Sequence, residues 1–157
     1  MSEWLVCFVP PTDRRFWHKL CHRKHKHAFA IKREAEGKWT LFEPWWTRIM
    51  VETIDTERAL RFLNWARRGD ALRVFEHVPG KSSQLRGWMS CAALIAHLLG
   101  RSYQLWTPHQ LYRRLLREPD VERVDVNEII RSIVHADPSC DSDVRYHDRG
   151  ISTASAH

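Results

Sequence analysis

The sequence predicts an α+β fold in which a mainly antiparallel sheet packs against helices. Strand signals gather in the first half of the chain and helix signals in the second, and a tight-turn signal, Glu34-Ala-Glu-Gly-Lys38, joins two of the strand segments. A length of 157 residues with 43% hydrophobic and 28% charged residues suits a single soluble domain with its own core. We expect that domain to span residues 1–136, followed by a polar tail over 137–157.

Residues 3–9, Glu-Trp-Leu-Val-Cys-Phe-Val, form a continuous apolar run closed by Pro10-Pro11, which suits a buried strand rather than a helix of that length. Residues 12–26 read as a basic loop or short helix. His27–Arg33 alternates and Trp39–Trp45 is a second aromatic and aliphatic run, so the pair reads as a hairpin. A three-residue loop, Ala35-Glu36-Gly37 with Gly37 left-handed, pairs Arg33 with Trp39 and Ile31 with Leu41. In that register His27 and Glu43 are diagonal neighbours on one face. A two-residue Glu36-Gly37 turn would instead pair Ala30 with Glu43 and put those two residues on opposite faces.

Thr47–Thr53 reads as another strand. Asp55 or Thr56 then caps a helix carrying Ala59, Leu60, Leu63 and Ala66 at helical spacing up to Gly69. Leu72–Val78 returns to strand and Pro79-Gly80 breaks it. Ser90 has the character of an N-cap for a helix with Cys91, Leu94, Ile95 and Leu98 on one stripe, closed by Gly100. Thr107-Pro108 opens a helix through Leu111, Leu115 and Leu116. Asp125 starts a last short helix with Val126, Ile129, Ile130 and Ile133. Beyond Asp137 almost nothing is available to bury, and we expect a tail ordered only by a partner.

The net charge of +6 is unevenly spread: residues 1–50 carry ten Lys and Arg against five Asp and Glu, residues 101–157 eight against nine. Five of the eight tryptophans fall in the same basic half. Arg15, Lys19, Arg23, Lys24 and Lys26, with Trp45 and Trp46, therefore suggest contact with a partner subunit or, secondarily, with nucleic acid. No apolar run reaches membrane-spanning length, and Trp4–Val9 is short for a secretory segment, so we expect no membrane span and an intracellular setting. The four cysteines have neither zinc-ribbon spacing nor the density of a disulfide scaffold, and reduced thiols are expected. His18, Cys21, His22, His25 and His27 include an i, i+4 histidine pair compatible with zinc. Lys19, Arg23, Lys24 and Lys26 stand beside them, however, and no second ligand pair follows, so no metal and no cofactor is expected.

The sharper candidate is a thiol. A cysteine in the first turn of a helix, as Cys91 is predicted to be, meets the positive end of the helix dipole and unsatisfied N–H groups. His27 at the start of a strand can deprotonate it, Glu43 on the neighbouring strand can orient the imidazole, and Gln84 can serve as an additional oxyanion donor. A plainer reading stands beside this one: Cys91 shares a stripe with Leu94, Ile95 and Leu98 and can simply be core, while His27 belongs to a run of histidines.

A His-bearing hairpin followed by a Cys at the head of a helix, in Gly87-Trp-Met-Ser-Cys91-Ala-Ala-Leu-Ile-Ala-His-Leu-Leu-Gly100, resembles the circularly permuted papain-like proteins. These include peptidoglycan-cleaving peptidases of the NlpC/P60 type and lecithin retinol acyltransferase-like acyltransferases. The block Thr107-Pro-His-Gln-Leu-Tyr-Arg-Arg-Leu-Leu116 is similar to those of small bacteriophage-encoded proteins of this kind. The resemblance spans roughly residues 27–116. It implies a permuted papain-like arrangement, with Cys91 as nucleophile, His27 as base and Glu43 as the orienting polar residue. It also implies hydrolysis or acyl transfer at an amide or ester bond, a cell-wall peptide as substrate, and a place in the host cytoplasm or the virion. The chain departs from the family in the residues flanking Cys91 and in having Glu as third member rather than Asn, Gln or His. A rival expectation is a non-catalytic virion or assembly protein that binds other subunits through its basic, tryptophan-rich half.

Overall fold

The computed structural model describes residues 2–11, 22–45, 48–77, 90–101 and 105–136. In chain order the elements are β1 (Glu3–Val9), β2 (His27–Arg33), β3 (Trp39–Pro44), β4 (Ile49–Ile54), α1 (Thr56–Ala66), β5 (Asp70–Phe75), α2 (Cys91–Leu98), α3 (Pro108–Leu115), β6 (Glu122–Val124) and α4 (Val126–Ala136). The strands form one antiparallel sheet in the order β4-β3-β2-β1-β5-β6. The α+β class expected from the sequence is what the chain adopts.

Helices cover both faces of this sheet, which explains why β1 reads as an unbroken apolar run rather than an alternating one. Its Cys7 and Val9 join Phe29, Ile31, Trp39 and Leu41 beneath α1 and α4, which add Leu63, Trp65, Val126 and Ile133. Its Trp4, Val6 and Phe8 join Ala28, Ala30, Leu72 and Val74 on the other face, beneath Ala92, Ile95 and Ala96 of α2 and Leu111 and Leu115 of α3. The two alanines of β2 leave room for α2 to lie close over β2 and β3. Each fully buried large side chain, Phe29 or Leu63 for example, contributes about 1.5–3 kcal/mol by leaving water.

The β2–β3 ladder has the register of the three-residue loop, with Arg33 opposite Trp39 and Ile31 opposite Leu41. The turn that produces it mixes the two expected forms. Glu36 and Gly37 both have positive φ, and the Lys38 N–H donates to the Ala35 carbonyl as in a two-residue turn. The Glu34 N–H also donates to the Lys38 carbonyl, so Glu34 and Ala35 together oppose Lys38 and the extra residue shifts the ladder by one.

The helix starts follow side-chain chemistry. Asp55, Ser90 and Thr107 each accept the backbone N–H three residues on, and Thr107 with Gln110 completes a reciprocal capping box. Gly100 follows α2 with a φ of +74°, and a Cβ there would overlap the His77 carbonyl, so this position requires glycine twice over. β5 differs from its expected span because its partner sets its ends: the ladder with β1 runs from Glu3 opposite Phe75 to Phe8 opposite Asp70. β4 likewise lies two residues later at its start and one later at its end than the sequence suggests, matching β3 from Trp39–Ile54 to Pro44–Ile49. β6 was not expected; three residues carry no periodicity, and this strand joins the sheet through pairing with β5 and an Arg73–Glu122 ion pair at 3.1 Å. The expected basic loop or helix over 12–21 and the polar tail over 137–157 lie outside the described residues.

Candidate functional site: a thiol beside a buried imidazole

β2 begins with His27, and α2 begins with Cys91, the residue after the Ser90 cap. One step beyond the Ala30–Phe42 pair the ladder brings Glu43 opposite Phe29, diagonal to His27. The Glu43 carboxylate, 3% exposed, then sits 3.6 Å from His27 Nε2. That is an ion-pair separation rather than a hydrogen bond, and the buried Nε2 has no hydrogen-bond partner among the described residues. The imidazole is walled by stacked indoles, Trp45 at 5.4 Å and Trp65 of α1 at 5.6 Å between ring centroids. Burial between these rings opposes protonation. The interactions with Cys91 and then with Glu43 outweigh it and push the His27 pKa up to about 9.

Cys91 is a free thiol, half-buried rather than core. The buried stripe of α2 is Ala92, Ile95 and Ala96, continued by Leu99; Cys91, Leu94 and Leu98 lie at its margin. The plainer reading of Cys91 as one more packed residue of the Leu94–Leu98 stripe is corrected accordingly. Cys7 shows what a core thiol looks like here: fully buried in β1, with burial pushing its pKa far up. Ser90 accepts the Ala93 N–H at 3.1 Å. The amides of Cys91 and Ala92, at the first two helical positions, have no acceptor within the helix.

The structure thus brings three of the four candidate residues together. The fourth, Gln84, lies outside the described residues, as do Arg15, Lys19 and Trp46 of the basic and aromatic set. Arg23 and Lys24 are exposed in the turn before β2, and Lys26 is half-buried. Trp45, expected at a partner surface, is 38% exposed and also stacks on His27, where it forms a wall of the thiol site. Trp65, the opposite wall, went unnoticed in the sequence because at helical spacing it looks like any core residue of α1.

A second cluster lies where the turn before β2 meets β5 and α3. His25, 1% exposed, packs against Phe8 and Tyr112. Its Nε2 is 2.7 Å from Asp70 Oδ2 and its Nδ1 is 2.9 Å from His109 Nδ1. His22 stacks on His109 with centroids 4.0 Å apart. Arg123 of β6 holds the other Asp70 oxygen. Burial lowers the His25 pKa despite Asp70, and burial with the charges of His22, His25 and Arg113 lowers that of His109. Burial alone would raise Asp70, but His25 and Arg123 hold its carboxyl below the usual range. Asp70 and His109 were not singled out in the sequence: His25 and His109 are 84 positions apart, and only the fold joins them.

Among the described residues no helix is long and apolar enough to cross a membrane. Comparison of the chain with protein-family models, with curated proteins and with solved structures finds no match. What the fold and the site define is an α+β protein with a six-stranded antiparallel sheet, carrying a half-buried helix-start thiol next to an imidazole and a carboxylate.

Proposed function

We propose that this chain is a cysteine-dependent hydrolase or acyltransferase acting on an amide or ester bond, built as a permuted papain-like domain. The observation that carries the reading is the grouping of Cys91 at the start of α2, His27 at the start of β2 and Glu43 near the end of β3. In this mechanism His27 takes the Cys91 proton and Glu43 stabilises the resulting imidazolium. The thiolate attacks the carbonyl carbon, and the oxyanion develops near the Cys91 and Ala92 amides, which have no acceptor within α2. His27 then returns its proton to the leaving amine or alcohol, leaving an acyl thioester on Cys91. Water releases the acid, or an acyl acceptor takes the group. Trp45 and Trp65 keep bulk water from the imidazole, which strengthens its pairing with the thiolate. A cell-wall peptide is the substrate class that the family resemblance supports, in a bacteriophage protein acting in the host cytoplasm or the virion.

The test is the rate of Cys91 alkylation by iodoacetamide at pH 7, with Cys21 and Cys140 replaced by serine and Cys7 left in the core. A free thiol of pKa about 8.5 is about 3% ionised at that pH. The paired thiol should react much faster than that fraction allows, and His27→Ala should slow it by about 30-fold. Protection of Cys91 until the protein unfolds would overturn the reading.

One observation favours a second reading, a non-catalytic assembly protein. The edge strand β4 exposes Ile49 and Val51, at 47% and 63%. An exposed apolar edge strand invites pairing with another subunit. Under that reading Cys91 would be inert, and Val51→Lys would abolish association measured by sedimentation.

A further inference from the structure

A neutral imidazole has one N–H and one lone pair, and the partner of one nitrogen fixes the role of the other. An ionised Asp70 only accepts, so the 2.7 Å contact puts the His25 proton on Nε2 and leaves the Nδ1 lone pair facing outward. That lone pair faces His109 Nδ1, on the first turn of α3. One nitrogen from each of His22, His25 and His109 lies within 4.8 Å of the other two. Asp70 is itself held by Arg123, and the His25 ring packs against the touching rings of Phe8 and Tyr112. Carboxylate, imidazole N–H and an outward lone pair in series is how proteins orient a histidine for a metal ion.

We propose that His22, His25 and His109 form a binding site for a divalent transition-metal ion of the Zn²⁺ class, with Asp70 as the positioning residue for His25. Three nitrogen donors suit Zn²⁺, whereas Mg²⁺ and Ca²⁺ demand oxygen. Tetrahedral Zn–N bonds of about 2.0–2.1 Å place two ligating nitrogens about 3.3 Å apart. The 2.9 Å separation of His25 and His109 therefore has to open by only a few tenths of an ångström. His22 is exposed and stacked on His109, so to ligate it would have to turn out of that stack and present its lone pair. The fourth position is left for water or another donor. The ion would tie the turn before β2 to the first turn of α3.

A different cluster shows what a non-site looks like. His77, Glu118 and Asp120 also lie within ligating distance of one another. There the Arg101 guanidinium bonds both Glu118, at 2.6 Å, and His77, at 3.3 Å, occupying the place of a cation. Among the described residues no guanidinium or ammonium bonds His22, His25 or His109 in this way; the nearby Lys24 and Arg113 are exposed to screening solvent.

The experiment uses the full chain with Cys21, Cys91 and Cys140 replaced by serine, so that no accessible thiol competes and the result is independent of the proposed catalytic role. The chelator-treated protein is titrated with Co²⁺ and then with Zn²⁺, followed by absorption and calorimetry. The expected result is one ion per chain, tetrahedral cobalt bands without a thiolate charge-transfer band, and displacement by Zn²⁺. Asp70→Asn should weaken binding by about 10- to 100-fold. His109→Ala and His22→Ala, at positions that are not core, should weaken it at least as much while circular dichroism stays unchanged. His135→Ala on α4 should leave it untouched. Absence of stoichiometric binding, or equal affinity in His109→Ala and the parent, would overturn the proposal and make the His25–His109 contact an N–H···N hydrogen bond.

Discussion

His25 and His27 stand two residues apart, each beside a buried carboxylate, and their pKa values move in opposite directions. His25 has the closer acid, Asp70 at 2.7 Å, yet burial lowers it. His27 has Glu43 at 3.6 Å and is nevertheless raised to about 9. The difference lies in the rest of the company. Asp70 shares its charge with Arg123, and His22 and Lys24 oppose a charge on His25. His27 has Cys91 as well as Glu43 favouring its protonated form, and no cation among the causes of its shift. One closer carboxylate does not decide a histidine's state; the summed field does. One ring is set up to stay neutral, the other to hold a proton beside Cys91 and Glu43.

The largest expected effect comes from removing a wall of the second ring. Trp65 stacks on both His27 and Phe29 within the core beneath α1. Trp65→Ala should cost about 3–5 kcal/mol in urea unfolding, as large aromatic truncations do. A loss below about 1 kcal/mol would mean that the stack is loose and His27 is already wet.

The pH dependence separates the two histidines next. The folded pKa of His27 lies above its unfolded value of about 6.5. Its stabilisation is therefore fully present below about pH 6.5 and is lost as pH rises through about 9. His25, lowered by burial, works the other way: its neutral form favours the fold above about pH 6.5, and that contribution disappears as pH falls through its folded pKa. Ring-proton NMR titration should show His27 titrating near 9 and His25 below 6.5. Two curves near 6.5 would erase the contrast.

Asp70→Asn should then destabilise by about 1–3 kcal/mol, because it weakens a buried 2.7 Å contact and its support from Arg123. Glu43→Gln, at 3.6 Å, should cost under about 1 kcal/mol and show itself instead as a lower His27 pKa. Equal losses in urea unfolding would mean that the distance difference carries no energy.

The two rings were unequally legible in the sequence. His27 and Glu43 could be placed as diagonal neighbours in one of two registers because they belong to one hairpin, and the structure selects that register. Cys91 could be set at a helix start because Ser90 precedes it and Gly100 follows it. The caps Asp55, Ser90 and Thr107 and the runs of β1, β2 and β3 are equally local signals, and most of the fold follows from them. What the sequence hid is what chain crossovers create. β5 inserts beside β1 and carries Asp70 to His25; α3 folds back over the same face and delivers His109; β6 brings Arg123. Asp70 looks like a turn residue after Gly69, and His109 looks like the second residue of a capped helix. Nothing in their own neighbourhoods marks them, because the information is in the packing of elements 45 and 84 positions away.

The smallest effect worth measuring separates the two influences on Cys91 itself. The helix start contributes a dipole and amides without an acceptor in the helix, and His27 contributes a charge. Ser90→Ala removes the acceptor of the Ala93 N–H without touching His27, and cap losses of this kind cost about 1 kcal/mol. If the imidazolium dominates, Cys91 alkylation at pH 7 should slow by at most a few-fold in Ser90→Ala, against about 30-fold in His27→Ala. A Ser90→Ala effect as large as that of His27→Ala would shift the activation of the thiol onto the helix. The contrast between the two rings would then concern His25 alone, since His27 would be a buried neighbour of Cys91 rather than its base.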